Sequence, residues 1–540
     1  MKLQILTTVL AAFLPFAALA QQHYLVTFKD KGPEAAAFLQ HPERILSQKA
    51  LERRQQAGVE ITLADAPVSR QYLQQLQTSG AGILQKSKWL NTVLVSSGKT
   101  EAELRKSCPA ISTIKEYKKV SNKNTVKTGN NTHALTQEQL NYGAATDQIM
   151  QLNLDCLHDR GYTGAGVLVA QFDSGWDGVD SLAAYNQMRA ENRFIATRNF
   201  VDPSQTVYTT HNHGTITFSV MAANLPGQFV GGAPQASYAL ALTEDVSQEV
   251  HQEELNWAAA AEWADSLGAD IITSSLGYKN FDPGQVDYTS ADLNGDFAII
   301  TRAADYAASR GILVVTSAGN SGWQGISAPC DGDSVLCVGA VDINNQIASF
   351  SSIGPTGDGR VKPDVVALGV STASILPDGG IAGVNGTSLS CPMMAGLVTC
   401  LKQAHPTASN MQIIEAVKQS ADRRNNPGIM YGWGLPDACR ADSLLSIITG
   451  SAPALPSSPN FGLKTNIADR YLTLLRHNQQ TAPESIEIYA ITGQRMQRVQ
   501  NWGMDAGKME IDIHNLSSGL YILSVQPQNG APQVFKFVKQ

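Results

Sequence analysis

Positive charge is scarce in this chain: 40 Lys and Arg stand against 47 Asp and Glu, a formal charge of -7 with a pI near 5.8. With no global basic field to condense on a polyanion, nucleic acid is excluded as an expected partner. Cysteine is sparse and odd in number, seven at 108, 156, 330, 337, 391, 400 and 439, with no C-x-x-C pair and no Cys/His spacing of a structural zinc site. At least one thiol is therefore unpaired. Cys330 and Cys337, close together around a Gly/Asp-containing loop, are candidates for a bridge in an oxidising compartment, but spacing leaves connectivity open. After residue 20 no apolar run reaches about eighteen residues, the length of a membrane span. No fixed-period repeat is present.

A chain of 540 residues is too long for one core, and 43% apolar with 16% charged residues, 45 Gly and 23 Pro excludes a coiled coil, collagen or a wholly disordered protein. The start has Lys2, an almost unbroken apolar run over 3–19, and Ala18-Leu19-Ala20 before two glutamines. This pattern predicts a secretory signal over residues 1–20 and a mature protein outside the cytoplasm. Residues 21–125 read as a small α+β unit, with strands at 24–28, 89–96 and 114–117, a helix over 45–58 and another at the capping box Thr100-x-x-Glu103. A polar stretch, 118–133, cannot bury enough surface to order itself, and 126–139 is assigned as linker.

From 140 to 448 short apolar runs at 167–172, 238–242, 270–274, 312–318 and 335–340 alternate with helical stretches such as 253–267 and 297–310. The fold class is α/β, a parallel sheet covered by helices on both faces, with ligands expected at the carboxyl ends of the strands. A Pro/Ser/Ala linker at 449–460 is followed by alternating segments over 461–540, read as a small antiparallel β-sandwich.

Four residues sit where that sheet would gather a site. Asp173 ends the first apolar strand ahead of Ser174-Gly175; His213, in His213-Gly214-Thr215, opens a helical run over 216–223. Ser388 lies in Gly386-Thr387-Ser388-Leu389-Ser390-Cys391-Pro392, with a helix expected over 393–401, so its hydroxyl falls near a helix N-terminus. Asn320 follows the strand at 312–318 in a Gly-rich turn and could donate to an oxyanion. Taken singly they are a turn residue, a structural histidine, an N-cap and a turn asparagine. Jointly, the order Asp, His, Ser fits one of the known serine triads, whereas the G-x-S-x-G elbow of an α/β-hydrolase is absent.

At these motifs the sequence resembles the subtilisin-like serine peptidases, the subtilase family, over residues 140–448; Gly232-Ala233-Pro234 and Ser275-Leu276-Gly277 match flanking segments. The resemblance implies Ser388 as nucleophile, His213 as general base then acid, Asp173 as the orienting carboxylate and Asn320 as oxyanion donor. It places Ser275, Leu276, Gly277, Ala318 and Gly319 along the substrate, with no charged floor visible and an apolar or mixed preference. Two departures stand out: Leu389-Ser390-Cys391 replaces the usual Met-Ala-Ala/Ser, and Thr217-Phe218-Ser219 the familiar Val-Ala-Gly. By the same resemblance residues 21–125 are an inhibitory, ferredoxin-like propeptide. Residues 461–540, with Ile488-Tyr489-x-x-x-Gly493-Gln494 and Leu516-x-x-Gly519-Leu520-Tyr521, resemble the type IX sorting domain of Bacteroidota, implying export through the periplasm and the outer-membrane secretion machinery as partner.

The function expected is therefore a secreted endopeptidase acting on protein or peptide substrates through an acyl-enzyme. A noncatalytic binding protein on the same scaffold is the alternative, and an esterase is disfavoured by triad order. No cofactor is demanded. Asp292-Leu293-Asn294-Gly295-Asp296 resembles part of a calcium loop but lacks the later bidentate Glu, and His211-x-His213 lacks a third metal ligand. Gly161-x-x-Gly164-x-Gly166 precedes its strand and so is no phosphate cradle.

Overall fold

The computed structural model describes residues 22–117, 141–208, 211–449, 461–464, 467–476, 482–490, 495–499, 507–527 and 533–539. The expected signal segment, the polar stretch 118–133 and the Pro/Ser stretch 451–460 lie outside the described residues.

In the N-terminal unit one antiparallel sheet runs in the order Gly82–Ser87, Thr92–Ser97, Gln22–Phe28, Ile111–Tyr117. Helices Arg70–Thr78 and Glu101–Ser107 make the crossovers, completing a β-α-β-β-α-β order. Gly82–Ser87 is a strand that the sequence pattern did not single out. At the second helix the capping box is formed, with Thr100 accepting from the Glu103 amide at 3.4 Å and the Glu103 carboxylate accepting from the Thr100 amide at 2.8 Å.

Seven strands build the central sheet, in the order Val365–Leu368, Val335–Val341, Leu313–Ser317, Ile271–Ser274, Leu168–Asp173, Ser237–Leu242, Phe194–Asn199. All neighbours pair in parallel. Side chains alternate between faces. Val169, Leu240, Ile271 and Val315 enter a core with Phe218, Met221 and Leu397. Ala170, Ala239, Ile272 and Val314 enter the opposite one, under helices His251–Leu267 and Ile299–Ser309. Leu25, Trp89, Leu90 and Leu94 of the N-terminal unit join this second core, and Trp89 stacks on Tyr306 with ring centroids 6.2 Å apart.

Polar contacts fix the same docking. Glu262, on the helix His251–Leu267, accepts from Ser87 Oγ at 2.6 Å and from the amides of Lys88 and Trp89 at 2.9 Å each. One turn on, Asp265 meets Arg53 and Arg54 of the helix Gln48–Gln56.

The helix bearing Ser388 spans Thr387–Ala404, starting six residues before the expected 393. Pro392 reads as a helix opener but lies inside. Its missing N–H leaves the Ser388 carbonyl without a helical donor, and the Ser275 hydroxyl donates to that carbonyl at 2.9 Å instead.

Two disulfides form, Cys330–Cys337 and Cys156–Cys439, while Cys108, Cys391 and Cys400 are buried thiols. In the C-terminal unit a three-stranded and a five-stranded sheet enclose a core of Phe461, Leu472, Ile486, Leu523 and Phe537. Its strands are antiparallel except that Ile467–Ala468 pairs in parallel with the last strand, Gln533–Lys539.

Candidate active site

Asp173 is the last residue of the central strand Leu168–Asp173 and is fully buried. Its Oδ1 accepts from the Ser174 amide at 2.8 Å and lies 2.7 Å from His213 Nδ1; its Oδ2 accepts from Thr217 Oγ1 at 2.9 Å. His213 opens the helix His213–Ala222. The helix reaches the strand end because Gly214 has no side chain: a Cβ there would stand 2.4 Å from the Gly175 carbonyl and 3.1 Å from Asp173 Cβ.

Burial opposes the charge on Asp173, but the His213 charge and hydrogen bond, the Ser174 amide and the Thr217 hydroxyl outweigh it and hold the carboxyl below its ordinary range. Burial also opposes a charged His213, and the Asp173 charge and hydrogen bond outweigh it, so the imidazole keeps its proton to higher pH than an ordinary histidine.

Ser388 is the second residue of its helix, where the backbone N–H groups lack helical acceptors. Gly386 ahead of it has φ 150°, a region open to glycine. Ser388 Oγ donates to the Ser275 carbonyl at 3.4 Å, and no hydrogen bond joins it to His213 among the described residues. Asn320 Oδ1 accepts from the Thr387 amide at 2.9 Å and from Thr387 Oγ1 at 3.0 Å. An amide N–H can only donate, so this contact fixes the flip of Asn320 and leaves its Nδ2 as a donor with no acceptor among the described residues.

Ser388 and Asn320 open on a cavity of about 260 Å³ walled by Ser275, Gly277 and Gly319. Leu276 and Ala318 stand behind the wall: Leu276 packs against the second core, and Ala318 is fully buried, with its amide donating to the Val338 carbonyl at 2.9 Å. Glu249 and Lys279 line the same cavity, two titratable side chains that the residues named from the sequence do not include. Lys279 Nζ donates to the Gln324 carbonyl. Glu249 is pushed up to about 8 by burial, with the Glu244, Asp282 and Glu254 charges adding to it.

In the calcium-like loop one oxygen each of Asp292 and Asn294 accepts from the local backbone or hydroxyl. Asp292 Oδ2 accepts from the Thr289 amide at 2.8 Å and from its hydroxyl at 2.6 Å, and Asn294 Oδ1 accepts from the Asp296 amide at 3.0 Å. No group of three or more His, Cys, Asp or Glu suited to a metal occurs among the described residues. His211 turns its Nδ1 to Ser174 Oγ at 2.9 Å. Sequence reasoning missed Glu249 and the pair Gln171 and Thr217; the signals for the last two were a glutamine inside an apolar strand and a threonine at the familiar valine.

Comparison with known proteins gives three matches along the chain. Residues 164–434 match the Subtilase family, 23–133 the Peptidase S8 propeptide domain of Bacteroidota, and 466–540 the Secretion system C-terminal sorting domain. The chain is 34% identical over 292 residues to Subtilisin NAT of Bacillus subtilis subsp. natto, covering 53% of this chain and 68% of that protein. It is 32% identical over 292 residues to Subtilisin of Bacillus pumilus, covering 53% and 94%, and 31% identical over 293 residues to Subtilisin Savinase of Lederbergia lenta, covering 54% and 96%.

Proposed function

Since the chain belongs to the subtilase family and is a secreted or cell-surface serine endopeptidase, we propose that Asp173, His213 and Ser388 form its catalytic triad and Asn320 its oxyanion donor. The single observation that carries this reading is the 2.7 Å bond from His213 Nδ1 to a fully buried Asp173, at the carboxyl end of the inner strand Leu168–Asp173.

With Nδ1–H given to Asp173, the neutral imidazole presents Nε2 as a base. The Ser388 side chain turns about its Cα–Cβ bond from the Ser275 carbonyl to Nε2, a change between staggered rotamers. As Oγ attacks the scissile carbonyl its proton passes to Nε2, and the carbonyl electrons move onto oxygen. Asn320 Nδ2 and a first-turn N–H of the serine helix donate to that oxyanion. Collapse expels the amine, which takes the proton from Nε2 and leaves an ester on Ser388. Water, deprotonated by the same nitrogen, then cleaves the ester and restores the serine.

The N-terminal unit, through residue 125, is proposed to inhibit the catalytic unit, 140–448, until the stretch between them is cut. Residues 461–540 are proposed to engage the type IX outer-membrane machinery. Labelling of the purified protein with a fluorophosphonate tests the site: modification of Ser388 with casein turnover is expected. No labelling would favour the noncatalytic alternative, and turnover of short acyl esters without casein would favour an esterase.

A further inference from the structure

Behind Asp173 runs a polar chain in a place where the sheet otherwise packs apolar side chains. Trp176, Gln171, Thr217 and Asp173 are each no more than 1% exposed. Gln171 precedes Asp173 by two positions on the same strand, so both side chains leave the same face of the sheet. Trp176 Nε1 donates to Gln171 Oε1 at 3.2 Å, Gln171 Nε2 donates to Thr217 Oγ1 at 2.7 Å, and Thr217 Oγ1 donates to Asp173 Oδ2 at 2.9 Å.

Chemistry fixes the direction of this chain. An indole N–H can only donate, so Gln171 must turn its oxygen to Trp176 and its NH2 to Thr217. Having accepted from the amide, the threonine oxygen keeps its own proton to give. The carbonyls of His213 and Gly214, at 3.1 and 3.2 Å, compete for it, but the charged carboxylate is nearer and the stronger acceptor. Packing alone does not call for such groups, since a buried amide and hydroxyl carry a desolvation cost that apolar side chains of similar size avoid. Valine, the familiar residue at position 217, fills nearly the same space.

We propose that Gln171 and Thr217 are positioning residues: anchored on Trp176, they hold Asp173 Oδ2 so that Oδ1 stays aimed at His213 Nδ1. The proposal rests on the reading of Asp173, His213 and Ser388 as the triad. The hydroxyl also draws charge toward Oδ2. Without it, charge concentrates on Oδ1, the imidazolium is held more tightly, and its proton leaves at higher pH. The other titratable groups about the pair are His211 on the loop before the histidine helix, Glu244 beyond the neighbouring strand and Cys391 on the serine helix; none of them is altered by the test.

The test is the acid limb of kcat/KM against pH for the whole enzyme carrying Thr217→Val, Thr217→Ser or Gln171→Met, with thermal unfolding measured alongside. Thr217→Val is expected to move the limb up by about half to one pH unit and to lower kcat about tenfold with KM nearly unchanged. Thr217→Ser, which keeps the hydroxyl, is expected to retain the original limb at whatever cost in stability. Gln171→Met is expected to move it in the valine direction by less, and it carries the test should the valine variant not fold. An unmoved limb in Thr217→Val or, failing that variant, in Gln171→Met overturns the proposal, as does a serine variant displaced as far as the valine one. Absence of fluorophosphonate labelling at Ser388 in the unaltered enzyme would instead count against the triad reading.

Discussion

Arg54 Nη2 of the N-terminal unit lies 2.7 Å from Asp265 Oδ2 of the catalytic unit, with side chains 1% and 0% exposed. The same carboxylate holds Arg53 at 2.5 Å and Lys88 at 3.6 Å, while Asp65 takes up Arg54 at 2.8 Å and Arg310 at 3.1 Å. Burial opposes the charge on Asp265, but Arg53, Lys88 and Arg54 outweigh it and hold the carboxyl below its ordinary range. The two units are thus joined by a closed set of opposite charges shut away from water.

Breaking such a set from one side leaves buried cations without a counter-charge, at a cost of about 3–5 kcal/mol. In the Ser388→Ala chain, which is expected to remain uncut, adding Asp265→Asn should therefore undock the N-terminal unit at lower urea, read by limited proteolysis and the masses of the fragments. Because the Asp265 carboxyl is lowered by folding, its contribution is complete above the unfolded value of about 4 and is lost as pH falls through the folded one. The difference between the two chains should accordingly shrink in acid. Equal urea midpoints at neutral pH would refute this account.

Ser388→Ala and His213→Ala are each expected to abolish peptide hydrolysis while leaving the far-UV spectrum intact, because triad members act as a unit. Asp173→Asn should lower kcat by about 10⁴ through the wrong imidazole tautomer. Asn320→Ala should lower it by about 10²–10³ with KM nearly unchanged. Steady-state kinetics on one peptide substrate compares all four, and wild-type turnover by the serine variant would sink the assignment.

Glu249 gives a stability signature of its own. Its carboxyl titrates near 8 in the fold, raised first by burial, and near 4.5 when free. Between those values the folded state holds a proton that the unfolded state has lost, so this group's contribution declines as pH rises through the window. In the Ser388→Ala background, Glu249→Gln should flatten the fall in Tm between pH 5 and 8. Parallel Tm curves for the two chains would rule the effect out.

Removing residues 461–540 should leave catalysis unchanged, since that unit closes its own core around Phe461 and Phe537 and, among the described residues, contributes none to the Ser388 cavity. Export should fail, leaving active enzyme in the periplasm of the native host. Normal delivery of the truncated chain to the surface or medium would contradict the sorting role.

Much of the fold was legible because its strands are buried on both faces and read as short apolar runs, as in Leu168–Asp173 and Val335–Val341. Phe194–Asn199 escaped notice because it lies at one edge of the sheet and half its residues meet solvent; Val365–Leu368, the strand at the other edge, was not singled out either. Motif letters singled out Asp173, His213, Ser388 and Asn320. They could not tell that Ser275 would replace the donor missing at Pro392, nor that Glu249 would face the cavity, because both depend on segments brought together only by folding. The Cys156–Cys439 pairing, across 283 residues, is of the same kind.

That cystine ties the beginning of the catalytic unit to its end, so nearly everything between them lies on one covalent ring. An enzyme released among its own copies is exposed to being cut by them. A single cut in any loop of the ring opens it without parting it into two molecules, and the broken ends stay beside each other, where the sheet and both cores can keep them seated. Damage of this sort would go unseen on a gel run without reductant and would show as two fragments once the bond is opened.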